Sequence, residues 1–193
     1  MTKREEQRNQ RKQEILSAGL DLFVRRGYTA TKISDIATAV NMSVGLLFHY
    51  FPSKEKLYEE LIRIGLSGTQ SIMLLSMDNP IQFFEQAASN LLEYMKADPF
   101  VAKMFVLMSQ ACLNDAAPQV VKGLVSQINN IKICVPMIEE GQKLGLIREG
   151  NPFALSMAFW CSIQGIAEEI AMYPETPYPE AEWIVDIIKK KGD

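Results

Sequence analysis

The sequence predicts an all-α protein: three short N-terminal helices joined by a long helix to a larger C-terminal helical bundle. Nearly every segment repeats its apolar residues with a helical period, and none alternates as a strand over any length. Pro80, Pro99, Pro152 and Pro179 each stand at the start of such a segment, where a missing N–H costs nothing. No internal repeat and no low-complexity segment interrupts the pattern.

In order, the first helix is expected from about Arg8 to Arg26, with Ile15, Leu16, Gly19, Leu22 and Phe23 on one face and Gly27 ending it. Thr31 is a plausible N-cap for a second helix of about two turns, which places Ile33, Ile36, Ala37 and Val40 at i, i+3, i+4 and i+7. Asn41 and Met42 make a turn, in which Asn41 is the residue best able to take a positive φ. Ser43 caps a third helix that closes at Pro52-Ser53, and a fourth, carrying Leu57, Leu61 and Ile64, is expected over residues 54–76 as one long rod. Further helices are expected over 80–97, 99–114, 118–144 (bent at Pro136), 152–173 and 179–191. Residues 1–53 are thus expected to form one domain and 54–193 a second.

Composition narrows the class. No apolar run approaches the roughly 18 residues of a membrane span, and the start, "MTKREEQRNQRKQE", lacks the apolar core of a secretory signal. Cys112, Cys134 and Cys161 are odd in number and set among apolar neighbours, as small hydrophobes in a reducing compartment would be. A cytoplasmic protein is expected. There is no glycine-rich phosphate loop, nucleophile elbow or metal-ligand cluster, and His49 is the only histidine, so neither an enzyme nor a metal or cofactor is expected. The net charge of −3 is uneven: residues 1–51 hold eight Lys/Arg against five Asp/Glu, and residues 52–193 twelve against eighteen. Only the N-terminal end suits a polyanion.

The segment "NMSVGLLFHYFPSKEKL" sharpens that expectation. Two helices joined by a tight turn suggest a helix-turn-helix, whose second helix needs one face for its own core and another for the major groove of DNA. Val44, Leu47 and Phe51 lie at i, i+3 and i+7 and can pack inward, although Phe48 could exchange places with Leu47. Ser43, Gly45, Leu46, Phe48, His49 and Tyr50 are then left over, more bulky groups than solvent alone explains. Leu46 could press on a thymine methyl; Ser43, His49 and Tyr50 could bond phosphates or bases; Gly45 would let the backbone come close.

"ILSAGLDLFVRRGYTATKISDIA" followed by "NMSVGLLFHYFPSKEKL" resembles the tetracycline-repressor (TetR) family of bacterial transcription regulators over roughly residues 12–60. The matching pattern is a first helix ending in Gly-Tyr, a threonine before the second helix, Ile-Ala within it, an aromatic-His-Tyr-Phe run, then Lys-Glu-x-Leu. The resemblance implies a homodimer whose two recognition helices read a palindromic operator, and a C-terminal domain that dimerises and binds a small effector. It implies DNA contacts from Thr31, Lys32, Ser43, Val44, Gly45, Leu46, Phe48, His49, Tyr50 and Lys54, with Thr31 and Lys54 holding phosphates at helix N-termini. Val44, on its spacing an inward residue, stands where a lysine is frequent. Leu46, Phe48 and Asn41 replace a common threonine, tyrosine and glycine, so methyl contacts and DNA shape are expected to carry more of the specificity. The basic residues Lys3, Arg4, Arg8, Arg11 and Lys12 could form an arm reaching the minor groove or the DNA backbone, but Glu5, Glu6 and Glu14 among them weaken that reading, and a solvated tail is expected.

In the larger domain the helix over 152–173 is apolar nearly all round and so needs partners on two sides. With the last helix it is expected to make a two-fold interface from Phe153, Met157, Trp160, Gln164, Gly165, Trp183, Ile184, Ile187 and Ile188. Flexible and aromatic side chains, Met77 among them, suit a bulky apolar effector of unknown identity. Its expected lining is Met73, Asn90, Glu93, Tyr94, Met104, Phe105, Met108, Gln110 and Trp160. The expectation is therefore a repressor released by a hydrophobic ligand. The alternatives are a ligand-dependent activator or, in another class, a helical carrier or enzyme that binds no DNA.

Overall fold

The computed structural model describes residues 2–74, 79–127 and 129–191. Among the described residues the helices are α1 (Lys3–Ala30), α2 (Ile33–Ala39), α3 (Val44–Tyr50), α4 (Lys54–Met73), α5 (Pro80–Ala97), α6 (Pro99–Leu113), α7 (Gln119–Val125), α8 (Asn130–Lys143), α9 (Pro152–Met172) and α10 (Ala181–Val185). Among the described residues there is no β-strand, only one isolated bridge between Ile147 and Lys189. The all-α class is therefore as the sequence predicts.

The backbone separates into two compact units, Met1–Ser67 with Val106–Gln127, and Gly68–Phe105 with Ile128–Asp193. This division differs from a cut after residue 53, and the reason lies in burial. Leu57, Tyr58, Leu61 and Ile62 of α4 are sealed from solvent, and Tyr58 packs edge-on to Phe23 at 5.0 Å between ring centroids. The first turns of α4 thus complete the core of the N-terminal unit. Within that unit the Gln110 side-chain amide also donates to Val24 O at 3.1 Å.

α1 starts earlier than expected. Thr2 caps it with a reciprocal pair of bonds: its hydroxyl accepts from Glu5 N, and the Glu5 carboxylate accepts from Thr2 N at 2.7 Å. The basic stretch is therefore helix rather than tail. The helical path breaks at Gly27, whose φ of +78° a side chain would resist, and resumes for a turn before Thr31. At Gly19 the close approach is to Leu57, whose Cδ2 would lie 2.7 Å from an added Cβ. Small size, rather than a special φ, is what that position requires.

The C-terminal unit is built round Phe83, Phe84, Phe159, Trp160, Cys134, Ile138, Ile163 and their neighbours, with α5, α8, α9 and α10 in mutual contact. Two expectations fail here. Residues 118–144 are two helices, because Ser126 and Gln127 turn back to bond Gly123 O and Asn129 caps a new start, its Oδ1 accepting from Lys132 N at 2.9 Å. The last helix is only five residues. Beyond it the chain pairs with residues 146–148 instead: Arg148 N donates to Ile188 O at 2.9 Å and Lys190 N to Leu146 O at 3.0 Å. That pairing satisfies the backbone groups a longer helix would have used and seals Ile188 in the core.

Candidate nucleic-acid interface

The candidate recognition element is α3, and its local sequence explains its geometry. Asn41 takes φ +52°, which lets the chain reverse between α2 and α3 within a few residues. Ser43 then caps α3, its Oγ accepting from Leu46 N at 3.2 Å, which leaves the hydroxyl hydrogen of an exposed side chain free to donate outward. Leu47 is wholly buried and Phe51 nearly so, while Leu46 is 47% and Phe48 42% exposed. Leu47, not Phe48, is the inward residue. Gly45 and His49 are exposed, and Val44 and Tyr50 are partly covered. Nothing lies within 4 Å of a Cβ added at Gly45, so its own subunit does not require a glycine there. The result is a seven-residue helix held by one apolar anchor and presenting a leucine and a phenylalanine, both largely uncovered.

Thr31 and Lys54 are placed differently from expectation. Thr31 is wholly buried and ends α1 rather than capping α2. Its hydroxyl donates to Gly27 O at 2.8 Å and Leu22 O at 3.1 Å, so it cannot reach a phosphate. The N-cap of α2 is Lys32, which is exposed. The Lys54 ammonium donates to Tyr28 O at 2.7 Å and Thr31 O at 2.9 Å and stands 4.3 Å over the Tyr28 ring. Partial burial holds its pKa below the ordinary lysine range. It is a strut that fixes the approach to α2, with one N–H remaining. These anchors look inward because the turn after α1 leaves carbonyls that need donors.

Two grooves flank this region. The larger, about 1040 Å³, runs between the first turns of α1 and the Leu46, His49 and Tyr50 face of α3. The smaller, about 640 Å³, lies beside α2 and sets Arg11 and Arg25 against Glu14 and Asp21, a balance that does not favour an anion.

The residues of the expected effector lining are divided between the two units. Met108 and Gln110 belong to the N-terminal unit, and the other seven residues to the C-terminal unit. Glu93 is exposed and paired with Lys96 at 3.3 Å, Tyr94 is exposed, and Asn90 accepts from Gln86 at the surface. These three face solvent because Leu91, Leu92 and Met95 take the inward positions of α5. Met104 and Trp160 are buried, and the Trp160 indole N–H is directed to the Cys134 sulfur. Met73 and Phe105 are partly buried against the same core, and Met77 lies outside the described residues.

The expected two-fold interface is also thinned. Trp160, Ile184 and Ile188 are core of their own chain, Ile187 packs against it, and the Gln164 amide donates internally to Glu168 Oε1 and Phe105 O. Phe153, Met157, Gly165 and Trp183 stay exposed. Cys161 and Met172, not singled out from the sequence, extend the uncovered line on α9. Cys161 lies four residues from both Met157 and Gly165, and Met172 seven beyond Gly165; that helical spacing was the available signal.

Residues 15–61 match the family model described as bacterial regulatory proteins, tetR family. The chain is 25% identical to the HTH-type transcriptional repressor NicS of Pseudomonas putida, over 76% of this chain and 70% of that one. It is 40% identical to the HTH-type transcriptional repressor KstR2 of Mycobacterium tuberculosis over 28% of each chain. The KstR2 structure superposes with a TM-score of 0.69 at 20% identity, covering 94% of this chain and 96% of that one. The structure of AibR in complex with isovaleryl coenzyme A and operator DNA does so with a TM-score of 0.63 at 18% identity, covering 91% and 94%.

Proposed function

We propose that the chain is a regulator of the TetR type: a cytoplasmic, homodimeric repressor that leaves a palindromic operator when a hydrophobic effector binds. The observation that carries the reading is the division of labour on α3: Leu47 is sealed while Leu46 and Phe48, its neighbours on either side, stay largely uncovered. Exposed aliphatic and aromatic groups on a helix-turn-helix fit thymine methyls and the groove wall, with Ser43, His49 and Tyr50 as donors to phosphates and bases. Lys32 adds a charge at the start of α2.

One recognition helix per chain reads a palindrome only in pairs, about 34–36 Å apart for adjacent turns of the groove. The line of Phe153, Met157, Cys161, Gly165 and Met172 on α9, with Trp183 of α10, supports a second copy as the partner of that face. Release requires only that the effector prefer dimers with another spacing. The methionines and rings of the C-terminal unit suit an apolar molecule.

Fluorescence anisotropy with DNA from upstream of the gene tests this. Salt-sensitive, sequence-selective binding is expected, with release by whatever apolar compound is extracted from the purified protein. Equal affinity for unrelated DNA, or none at all, would leave the carrier or enzyme alternative standing. Binding strengthened by the extract would point to the activator.

A further inference from the structure

The groove of about 1040 Å³ between α1 and α3 has a use that the recognition helix alone does not account for. On one wall stand Arg4, Arg8 and Arg11; on the other, Leu46, His49 and Tyr50. The basic wall is ordered helix, fixed by the Thr2–Glu5 capping pair. Arg11 is tied to Glu14 at 2.6 Å, whereas Arg4 and Arg8 have no partner among the described residues. The acids in this groove are Glu5, whose carboxylate accepts from Thr2 N, and Glu14, held by Arg11. Two uncommitted guanidinium groups therefore line a groove whose opposite wall is the outward face of α3.

We propose that this groove seats one sugar-phosphate strand of the operator, with Arg4 and Arg8 clamping successive phosphates beside the major groove that α3 enters. The inference rests on the DNA-binding reading above and extends it to a part of α1 that the sequence gives as solvated tail. Arg4 and Arg8 are one i, i+4 step apart, about 6 Å of axial rise, on a single helix face. A DNA strand advances about 3.4 Å along its axis per phosphate and winds round it as it does so, so neighbouring phosphates lie further apart than the axial step and within reach of two long side chains so spaced. Arginine's planar fork suits this task, since it can bond phosphate oxygens in pairs. Contacts of this kind set position and affinity but read no sequence.

The test compares the full-length chain with R4Q/R8Q, R4K/R8K and R25Q on the selected operator and on a scrambled duplex, each across a salt series. Circular dichroism of every variant checks that helix content is retained. R4Q/R8Q is expected to weaken binding to both duplexes by a similar factor, and to lower the slope of log affinity against log salt by roughly 0.9 for each lost phosphate contact. R4K/R8K keeps the charge and should keep most of the slope. R25Q, in the acid-balanced groove beside α2, should match the wild type. Wild-type affinity and slope in R4Q/R8Q overturn the clamp while leaving the repressor reading intact. A loss confined to the operator also overturns it, because the arginines would then be reading bases. Failure of the wild-type chain to bind either duplex removes the repressor reading and the clamp with it.

Discussion

Lys54 shows how one side chain can brace a candidate binding surface from within its own unit. Its ammonium joins Tyr28 O and Thr31 O, the two carbonyls that flank the turn between α1 and α2. K54A is expected to cost about 1–3 kcal/mol of stability, read as a lower urea midpoint, and to weaken DNA binding with little change of salt slope. K32A should do the reverse, leaving the midpoint in place and lowering the slope by about 0.9. Tyr58 gives a second measurable effect. Burial, then the neighbouring Tyr28 and Cys112, push its hydroxyl up to about 12. Between the ordinary value of 10.0 and about 12 the native chain keeps a proton that the unfolded chain has lost. Stability from this group is therefore fully present below pH 10 and falls, by roughly 3 kcal/mol in all, as pH rises through that window. Urea midpoints at about pH 9 and about pH 11 should diverge in the wild type and diverge less in Y58F.

At the level of elements, α3 separates folding from recognition along one helical turn. L47A should remove about 2–5 kcal/mol, since the side chain is wholly buried, whereas L46A should leave thermal stability nearly unchanged and reduce operator affinity. Thermal melts beside anisotropy titrations check both. Much of this element was legible in the sequence because its signals are local: a serine that caps, an asparagine that turns, an apolar spacing that points inward. Where the reading failed, the deciding partner was distant in sequence. Thr31 looks like a cap for α2 until the carbonyls of Leu22 and Gly27 claim its hydroxyl. Residues 186–190 have a helical pattern, yet pairing with 146–148 gives their backbone a better use. Glu93 and Tyr94 sit among the apolar residues of α5, but only the packed helix shows them on its outer face.

For the whole molecule, the two compact units differ in what remains uncovered. The N-terminal unit leaves the face of α3 open, and the C-terminal unit leaves a line of apolar side chains on α9 with Trp183 beside it. If a second copy covers that line, M157E should give folded monomers by light scattering and lose operator affinity together with pairing. Alkylation of exposed Cys161 by iodoacetamide should slow as the wild-type chain is concentrated, and stay fast in M157E. Cys134, buried and pushed up to about 11 by that burial, should remain unmodified until the chain unfolds. The order of residues along the chain has one more effect, on synthesis. Every residue of the N-terminal unit has been translated by Gln127, whereas the C-terminal unit draws Ile188 into its core. On the ribosome, the half that carries α3 can mature while the other half still waits for its closing residue, so a stalled or shortened product would carry a finished helix-turn-helix on an unfinished body.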